Sequence, residues 1–318
     1  MGGDATHKTG EMTSVMRADT RVLQRTQGVA VIVPAYNEGR AIGSVLKELT
    51  AVVDEAELPY EIIVVDDGSE DDTAEVAGRY EKVTVLRHRG NRGYGAALKT
   101  GIRHARYDLV CITDGDGTYP VDPIPDLIAR LVEDGCDMVV GARVGEEVDI
   151  PPLRKPAKWL IRQLAHFVAG EPIPDLNSGL RVFRRETALR MFNLLPNRFS
   201  FTTTITLAML TNGYLVDYVP INYYARVGSS KIRPVQDTLY FVQLVSRIAL
   251  YFAPLKIFLP ASAFFLLLAV AWATFSKFAL GRLADVSTLV IAMTAFQVAV
   301  IGMLAELINR RLPNYYKE

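Results

Sequence analysis

The sequence is poor in cysteine and carries no net charge. Its 318 residues include two cysteines, Cys111 and Cys136, which match neither a disulfide framework nor the spacing of a zinc site. We therefore expect both to be small buried residues in a reducing compartment. Lysine and arginine together number 35, as do aspartate and glutamate. No global basic field draws such a protein to nucleic acid, so a nucleic-acid partner is not expected.

The first 28 residues lack an apolar segment of the length that a secretory signal needs. We expect residues 1–28 to form a disordered N-terminal arm. The arginines at four-residue spacing, Arg17, Arg21 and Arg25, leave open a short basic helix on an anionic surface.

Apolar residues are concentrated toward the end of the chain. Residues 257–276 and 286–305 are two uncharged stretches, each of about 20 residues, which matches a hydrocarbon core roughly 30 Å thick. Both are predicted to span a membrane. Basic residues on the outer flanks outnumber Lys277 and Arg282 in the link, so the preceding domain, both termini and a tail at 306–318 are predicted to be cytoplasmic.

From residue 29 onward, short apolar runs alternate with segments of helical periodicity. The predicted strands are residues 29–33, 61–65, 83–86, 108–113 and 138–142. The predicted helices between them are residues 41–53, 94–106 and 124–132. Alternating strands and helices favour an α/β fold with a Rossmann-like, mainly parallel sheet.

Three polar clusters directly follow predicted strands, at Pro34–Glu38, Asp66–Ser69 and Asn91–Gly95. In open α/β sheets, ligands bind at the carboxyl ends of the strands. Glycine turns and helix amino ends offer backbone N–H groups to phosphate, and acidic side chains accept hydrogen bonds from a ribose or a base. A nucleotide diphosphate fits all three clusters.

Two carboxylates, Asp114 and Asp116, follow the fourth predicted strand. Their oxygens are hard ligands, and a divalent ion held by one or two of them keeps positions free for substrate phosphates. An EF-hand is excluded because Pro125 stands where its bidentate Glu is required. The glycines of residues 93–95 begin a dinucleotide fingerprint, but Leu98 replaces its third glycine. A turn held by local hydrogen bonds remains the structural alternative for the two carboxylates.

Taken in order, these motifs resemble the GT-A fold of family 2 glycosyltransferases. The motifs at residues 141–143, 175–181 and 226–231 are similar to the polyprenyl-phosphate branch, typified by dolichol-phosphate mannose synthase. The resemblance covers residues 29–251 and implies a catalytic domain at 29–232. It also implies a UDP- or GDP-linked sugar donor, a polyprenyl phosphate acceptor, Mg²⁺ or Mn²⁺, and a homo-oligomer at a membrane.

The resemblance assigns donor and metal contacts to matching positions. The implied donor-nucleotide contacts are Pro34, Tyr36, Glu38, Asp66, Asp67, Asn91, Arg92, Gly93 and Asp114. Asp114 and Asp116 are the implied metal ligands. Some relatives add a Gln where this chain has Thr118, so a hydroxyl or a water would replace the amide, and the third ligand stays open.

The acceptor side needs cations more than it needs a base. A phosphate monoester has a second pKa of about 6 and is already mostly dianionic at neutral pH. Besides Asp116, the resemblance implies Arg143, Arg226 and Lys231 as catalytic residues, although a solvated surface charge is the alternative for each. Asp175 acts as a base or orders the acceptor loop, and we favour the second role. The acceptor contacts that the resemblance implies are Asp175, Ser178, Arg181 and Ser230. If the segment that begins at residue 153 lies at the membrane interface, Arg154 or Lys155 is predicted to touch the acceptor phosphate as well.

Two further segments have amphipathic character. Residues 153–169 combine basic side chains with Trp159 and Phe167, and this pattern predicts a helix in the membrane interface. Residues 233–251 form a second candidate for such a helix. Packing against the protein core is the alternative for both segments.

The expected function is metal-dependent, inverting transfer of a sugar from a nucleotide diphosphate to a polyprenyl phosphate. A processive polysaccharide synthase shares the nucleotide motifs, but the sequence has no Gln-x-x-Arg-Trp signature. The other alternative is a membrane scaffold that keeps the fold without activity. Product length and nucleotide release distinguish the three.

Overall fold

The computed structural model describes residues 28–56, 58–143, 155–198, 200–224, 247, 250–279, 281 and 285–311. The chain divides into two compact units. The first takes in Met1–Asp149 and Pro174–Lys231, and the second takes in Ile150–Ile173 and Ile232–Glu318.

Strands and helices alternate along the first unit, and its five predicted strands and three predicted helices are present to within one or two residues. Numbered in chain order through both units, its strands are β1 Val29–Ala35, β2 Tyr60–Asp66, β3 Val83–Arg87, β4 Leu109–Ile112, β5 Met138–Arg143, β6 Arg181–Arg184 and β7 Val216–Ile221. Its helices are α1 Ile42–Glu55, α2 Thr73–Ala77, α3 Tyr94–His104, α4 Ile124–Glu133, α6 Arg185–Arg190 and α7 Phe201–Thr211.

Within the described residues, the strands form one sheet in the order β3-β2-β1-β4-β6-β5-β7. β6 runs antiparallel to both of its neighbours, β4 and β5, and every other pair is parallel. The prediction of a mainly parallel sheet is therefore confirmed. β6 and β7 were not predicted.

The central strands are buried on both faces, which explains why they are continuous apolar runs. All seven residues of β1 are buried, as expected for a parallel strand with helices on both sides. On α1, Ile42, Leu46 and Leu49 recur at helical spacing and have no exposed surface. This apolar stripe fastens α1 against the sheet.

The parallel register of β1, β2 and β4 brings their carboxyl ends to one edge of the sheet. Ala35 at the end of β1 pairs with Asp66 at the end of β2, and Ile32 pairs with Ile112 at the end of β4. The polar clusters after these strands therefore lie at the same edge, as the sequence predicts.

The second unit contains α5 Lys155–Ala169, α8 Pro254–Ala279 and α9 Asp285–Arg311. We expected α5 to belong to the catalytic domain, but it groups with α8 and α9. At the C-terminal end of α5, Lys256 Nζ donates to the carbonyls of Phe167 at 3.4 Å and Val168 at 3.2 Å. The last carbonyls of a helix lack partners within that helix and attract a cation.

α8 and α9 are long and apolar enough to cross a membrane. They pack as an antiparallel hairpin, in which Ser262 Oγ donates to the carbonyl of Ala295 at 2.7 Å and Trp272 Nε1 donates to Ser287 Oγ at 2.7 Å. A Cβ at Gly302 would lie 2.6 Å from the Cβ of Phe258. Glycine therefore lets the two backbones approach closely, as is typical of membrane helix pairs.

Several sequence predictions concern residues at the margins of these elements. α9 continues to Arg311, so the predicted tail at 306–318 begins as helix. Cys111 and Cys136 are free and buried, as predicted. The N-terminal arm lies outside the described residues apart from Gly28, and so does the segment 233–251 apart from Arg247, Leu250 and Tyr251.

Candidate active site

Asp114 and Asp116 lie in the turn that follows β4, and neighbouring hydroxyl groups orient both. Asp114 Oδ1 accepts a hydrogen bond from the hydroxyl of Tyr94 at 3.0 Å. Asp116 Oδ1 accepts from the backbone N–H of Thr118 at 3.1 Å and from its hydroxyl at 2.7 Å. The sequence leaves either a hydroxyl or a water in place of the missing amide, and the hydroxyl of Thr118 is directed at Asp116 and holds that carboxylate in place.

Two tyrosines surround Asp114 and keep their protons at neutral pH. Burial raises the pKa of Tyr94 well above its ordinary value, and the charge of Asp114 raises it further. Burial, with a smaller effect of Asp114, raises the pKa of Tyr119 to about 12. Tyr94 therefore remains a hydrogen-bond donor to Asp114 throughout the physiological range.

The loop before β6 reaches the acidic turn through Gly179. Its backbone N–H donates to the hydroxyl of Tyr119 at 2.7 Å. A Cβ on Gly179 would lie 2.7 Å from Asp114 Oδ2 and 2.9 Å from the ring of Tyr119. Only glycine allows this close approach, so the position bears directly on the orientation of Asp114.

We expect Gly179→Ala to weaken metal-dependent activity by between about 10- and 100-fold, because small displacements of a catalytic group have effects of this size. The added methyl group must displace the Asp114 carboxylate or the Tyr119 ring. Initial rates over a Mn²⁺ titration measure the effect. Gly90→Ala is the matched control, since a Cβ at Gly90 has no neighbour within 4 Å. Equal activity of the two variants would contradict the prediction.

A cleft of about 540 Å³ opens beside the acidic turn. Glu38, Glu48, Asp71, Asp116 and Asp122 all contribute to its walls, and Arg40 is the one basic residue among the described residues that line it. A cleft of this charge repels a diphosphate unless a cation enters with it. Its lining thus fits a divalent ion that is held partly by protein carboxylates and partly by phosphate oxygens.

The ligand set for such an ion is small. Among the described residues, no three His, Cys, Asp or Glu side chains are placed to share one ion. Asp114 and Asp116 stay the predicted ligands, and of the two, Asp116 lines the cleft. An ion held by two protein carboxylates would keep its other positions for water and phosphate, as Mg²⁺ commonly does on phosphorylated ligands.

The loops after β1 and β2 are joined by hydrogen bonds. The backbone N–H of Asn37 donates to Ser69 Oγ at 2.9 Å, and that of Glu38 donates to Thr73 Oγ1 at 2.9 Å. Of the residues assigned to the donor-site wall, Pro34 is buried, Glu38 lines the cleft, and Tyr36 is 41% exposed and available for contact.

Asp66 does not present its carboxylate to a ligand as expected. It has no exposed surface, and Oδ1 accepts from the backbone N–H of Ser69 at 2.9 Å. Arg87 Nε lies 3.0 Å from Oδ2 without hydrogen-bond geometry, so this contact is an ion pair only. Asp66 therefore shapes the turn after β2.

Asp67 is also turned inward, at 3% exposure. It accepts backbone N–H groups from Arg92 at 3.0 Å and from Gly93 at 2.7 Å. In the first turn of α3, the N–H of Ala96 donates to the carbonyl of Asn197 at 2.7 Å. Asp67 and Asn197 thus occupy the N–H groups of Arg92, Gly93 and Ala96, so the expectation that this glycine turn and helix end offer free N–H groups to phosphate is wrong for these three residues. The side chains of Asn91 and Arg92 are exposed.

Arg143 and Asp175 form an ion pair that is joined by two hydrogen bonds. Arg143 Nε lies 2.6 Å from Asp175 Oδ2, and Nη2 lies 2.9 Å from Oδ1. The guanidinium also lies over the ring of Tyr223 at 5.2 Å, and that ring meets Tyr119 edge-on at 5.2 Å. The side chain of Arg143 is 31% exposed. The pair therefore presents an oriented cation near the acidic turn.

The same contacts determine the charge of Asp175. Burial by itself would raise the pKa of this carboxyl, but Arg143 and the backbone N–H of Asn177 outweigh burial and hold the pKa below its ordinary value. A carboxylate with a lowered pKa and two engaged oxygens is a poor general base. The geometry is that of a residue that orders its surroundings, the role that we favoured.

Arg181 lies in the interior instead of at an acceptor site. It has no exposed surface, and its guanidinium donates to the carbonyls of Ser178 and Thr202 and to Thr206 Oγ1. Ser178 is equally buried. The expected acceptor contacts of Arg181 and Ser178 are corrected accordingly: both residues hold the loop that carries Asp175 and Gly179.

Four assigned residues, Arg154, Arg226, Ser230 and Lys231, lie outside the described residues, as does the side chain of Lys155. Three residues near the acidic turn, Tyr94, Tyr119 and Tyr223, were not assigned from the sequence. Tyr119 adjoins the acidic turn and Tyr223 stands three residues before Arg226. In a single sequence, these neighbourhoods are the only signal that would have singled them out.

Comparisons with known proteins identify the family of this chain. The model of Glycosyl transferase family 2 matches residues 30–192, and that of the GtrB C-terminal hairpin matches residues 253–310. A dolichyl-phosphate hexose transferase from Haloferax volcanii is 31% identical over 207 residues, which cover 65% of this chain and 87% of the relative. A dodecaprenyl-phosphate galacturonate synthase from Rhizobium johnstonii is 26% identical over 311 residues, which cover 91% and 89%.

Among solved structures, a similar one is glucosyl-3-phosphoglycerate synthase from Mycobacterium tuberculosis in complex with Mn²⁺, uridine diphosphate and glucosyl-3-phosphoglycerate. The TM-score is 0.57 at 22% identity, over 72% of this chain and 81% of that one. The fold is thus the GT-A-like sheet of a glycosyltransferase. More specifically, the chain belongs to glycosyl transferase family 2 and ends in the helical hairpin described above.

Proposed function

We propose that this enzyme transfers a sugar from a nucleotide diphosphate to a polyprenyl phosphate, with inversion at the anomeric carbon, and releases a lipid-phosphate-linked monosaccharide. Two relatives whose names specify a polyprenyl phosphate acceptor support the proposal, and one of them aligns along nearly the whole chain. The hairpin of α8 and α9 would anchor the enzyme where such lipids reside.

On the donor side, the acidic cleft would receive the nucleotide diphosphate. Asp114 and Asp116 would hold Mg²⁺ or Mn²⁺, which would offset the charge of the departing diphosphate. Tyr94 and Thr118 orient these carboxylates from either side. Tyr36 and Glu38 would bound the nucleotide, next to the loop that Asp67 orders.

On the acceptor side, an oxygen of the lipid phosphate would form a bond to the anomeric carbon. The bond from that carbon to the diphosphate oxygen breaks, and the nucleoside diphosphate leaves with the electron pair. Because the attacking phosphate is already ionised, no residue needs to remove a proton. Arg143 would hold the phosphate. Arg226, Lys231, Ser230, Arg154 and Lys155 remain predicted partners.

One observation carries this proposal. Asp175 holds the guanidinium of Arg143 through two hydrogen bonds, and Arg143 in turn keeps the pKa of Asp175 lowered, so that this carboxyl stays ionised. A hydroxyl acceptor needs a base at this place, whereas a phosphate acceptor needs a fixed cation. The Arg143–Asp175 pair therefore favours a phosphate acceptor.

We further propose that both helices of the hairpin span the membrane and that the catalytic unit faces the cytoplasm. The basic residues around the spans support this orientation. In the second unit, α5 exposes 63% of Trp159 and 53% of Phe167. Two large exposed aromatic side chains on a helix with basic residues support a position in the membrane interface.

The test is a transfer assay with purified full-length protein, short-chain polyprenyl phosphate, Mg²⁺ or Mn²⁺, and a panel of UDP- and GDP-sugars. We expect one donor class to yield a single-sugar lipid phosphate by mass spectrometry, with inverted anomeric configuration by NMR. The matched polyprenol without phosphate should yield no product. Polymeric product would instead identify a processive synthase, and no nucleotide release from any donor would identify a scaffold.

A further inference from the structure

We propose that His88 is a positioning residue for donor binding, acting through Asp67 on the loop that begins α3. His88 follows β3 and is 8% exposed. Its Nδ1 lies 2.6 Å from Asp67 Oδ1, and its Nε2 lies 2.9 Å from Thr100 Oγ1 on α3. The proposal rests on the proposed donor site, because it concerns the loop at residues 91–93, where the exposed side chains of Asn91 and Arg92 are predicted to contact the nucleotide.

Both ring nitrogens of His88 have a polar partner. A carboxylate oxygen only accepts, so Nδ1 is the donor in the contact with Asp67, and Nε2 contacts the hydroxyl of Thr100. His88 is the one side-chain donor to Asp67 among the described residues. It therefore supplies the bond that fixes the direction of a nearly buried carboxylate.

Asp67 transmits this orientation to the backbone. Its two oxygens accept the consecutive N–H groups of Arg92 and Gly93, at 3.0 and 2.7 Å. Gly93 has φ of 102°, a conformation that favours glycine, and a Cβ there would lie 2.8 Å from the carbonyl of Asn197. The loop has little room on its other side, so rotation of the Asp67 carboxylate would act on the loop directly.

The next residue extends the contact chain to the acidic turn. Tyr94 is the first residue of α3, and its hydroxyl donates to Asp114 Oδ1 at 3.0 Å. Hydrogen bonds thus connect His88 to Asp67, Asp67 to the loop, and Tyr94 to Asp114, and the peptide bond between Gly93 and Tyr94 joins the two parts. His88 therefore orients the loop at residues 91–93 through Asp67.

Two substitutions separate this role from a structural one. In His88→Asn, the amide nitrogen takes the place of Nδ1 and still donates to Asp67, but the contact with Thr100 is lost. In His88→Gln, the longer amide reaches toward Thr100 and leaves Asp67 without its side-chain donor. Each variant loses one of the two bonds, so we expect similar decreases in the thermal unfolding temperature.

Their effects on donor binding should differ. The probes are UDP and GDP, each with Mn²⁺, titrated calorimetrically into detergent-solubilised full-length protein. For the nucleotide that binds the wild type, we expect His88→Gln to raise Kd by about 10-fold or more, because a hydrogen bond to a charged group is lost. His88→Asn should stay within about threefold, as should Thr100→Val, which removes only the second contact.

If the Asn and Gln variants weaken nucleotide binding equally, in proportion to their loss of thermal stability, the proposal is overturned in favour of a structural role. Unchanged binding by the Gln variant would overturn it too. If that variant does not fold, a rise of more than about tenfold in the Asn variant or in Thr100→Val also overturns it. Failure of the wild type to bind either nucleotide would instead remove the proposed donor site itself, and the role of His88 with it.

Discussion

Asp116→Asn is expected to lower the rate of sugar transfer by roughly 10²- to 10³-fold, which is the usual effect of removing one group that stabilises developing charge. Asparagine keeps the shape of the side chain and an oxygen that accepts from the N–H and hydroxyl of Thr118. The turn should therefore persist while its negative charge is lost. The effect should appear in kcat and in the concentration of Mn²⁺ or Mg²⁺ needed for half-maximal rate.

The matched control is Asp126→Asn, an equivalent loss of charge at an exposed position in the first turn of α4. Both variants should insert into membranes and unfold at temperatures close to that of the wild type. Near wild-type turnover of Asp116→Asn in the lipid-linked sugar assay would remove the metal-binding role of the acidic turn.

The second large effect concerns the Arg143–Asp175 pair. Arg143→Ala should lower kcat/KM for the polyprenyl phosphate by about 100-fold or more, since it removes a cation that is held by Asp175 and by the ring of Tyr223. Arg143→Lys keeps the charge but loses the planar fork that binds a carboxylate through two bonds, so about a tenfold loss is expected. The Kd of the donor nucleotide should change little in both variants.

Asp175→Asn tests how the pair works. If Asp175 acts only by orienting Arg143, the double variant with Arg143→Lys should be no worse than Arg143→Lys alone, and the two losses should not add. The pH–rate profile of Asp175→Asn should keep the wild-type shape. A missing limb in that profile, or additive losses, would show instead that Asp175 has a chemical role of its own.

The pH dependence follows from the direction of the shift. The pKa of Asp175 is lowered in the folded protein, mainly because Arg143 outweighs the effect of burial. Such a group stabilises the fold above its unfolded pKa of about 3.9, and the contribution is lost as pH falls through the lower folded value. Between pH 6 and 8 this pair should therefore add no pH dependence to stability or rate.

Much of the fold could be predicted because an element that is buried on both faces consists of consecutive apolar residues. β1, β2 and β4 are buried on both faces and are therefore continuous apolar runs. The two hairpin helices are also apolar runs, and each is long enough to cross a membrane. β6 and β7 left weaker signals, since β6 has four residues with an arginine at each end and β7 contains Pro220 and is mostly half-buried.

The site was predictable in part for a similar reason. Asp114, Asp116, Asp67 and Asn91–Gly93 follow strands, and parallel strands bring such positions to one edge. What each carboxylate does was not predictable. Asp67 faces inward to bind the N–H groups of a loop, while Asp116 lines the open cleft. Both are carboxylates that follow a buried strand, and nothing local distinguishes them.

The sequence by itself determined the α/β order of the first unit, the apolar hairpin and the edge at which polar residues gather, because these depend on local periodicity and on length. Only the tertiary structure decided which polar side chains are free to act. Arg143 and Arg181 are equivalent in the sequence, yet Arg143 is half-buried beside Asp175, and Arg181 is enclosed by Ser178, Thr202 and Thr206. Asp175 is 32 residues from Arg143, and Thr202 and Thr206 are 21 and 25 residues from Arg181, so these partners come together only when the chain folds. A buried guanidinium must have its donors satisfied by then.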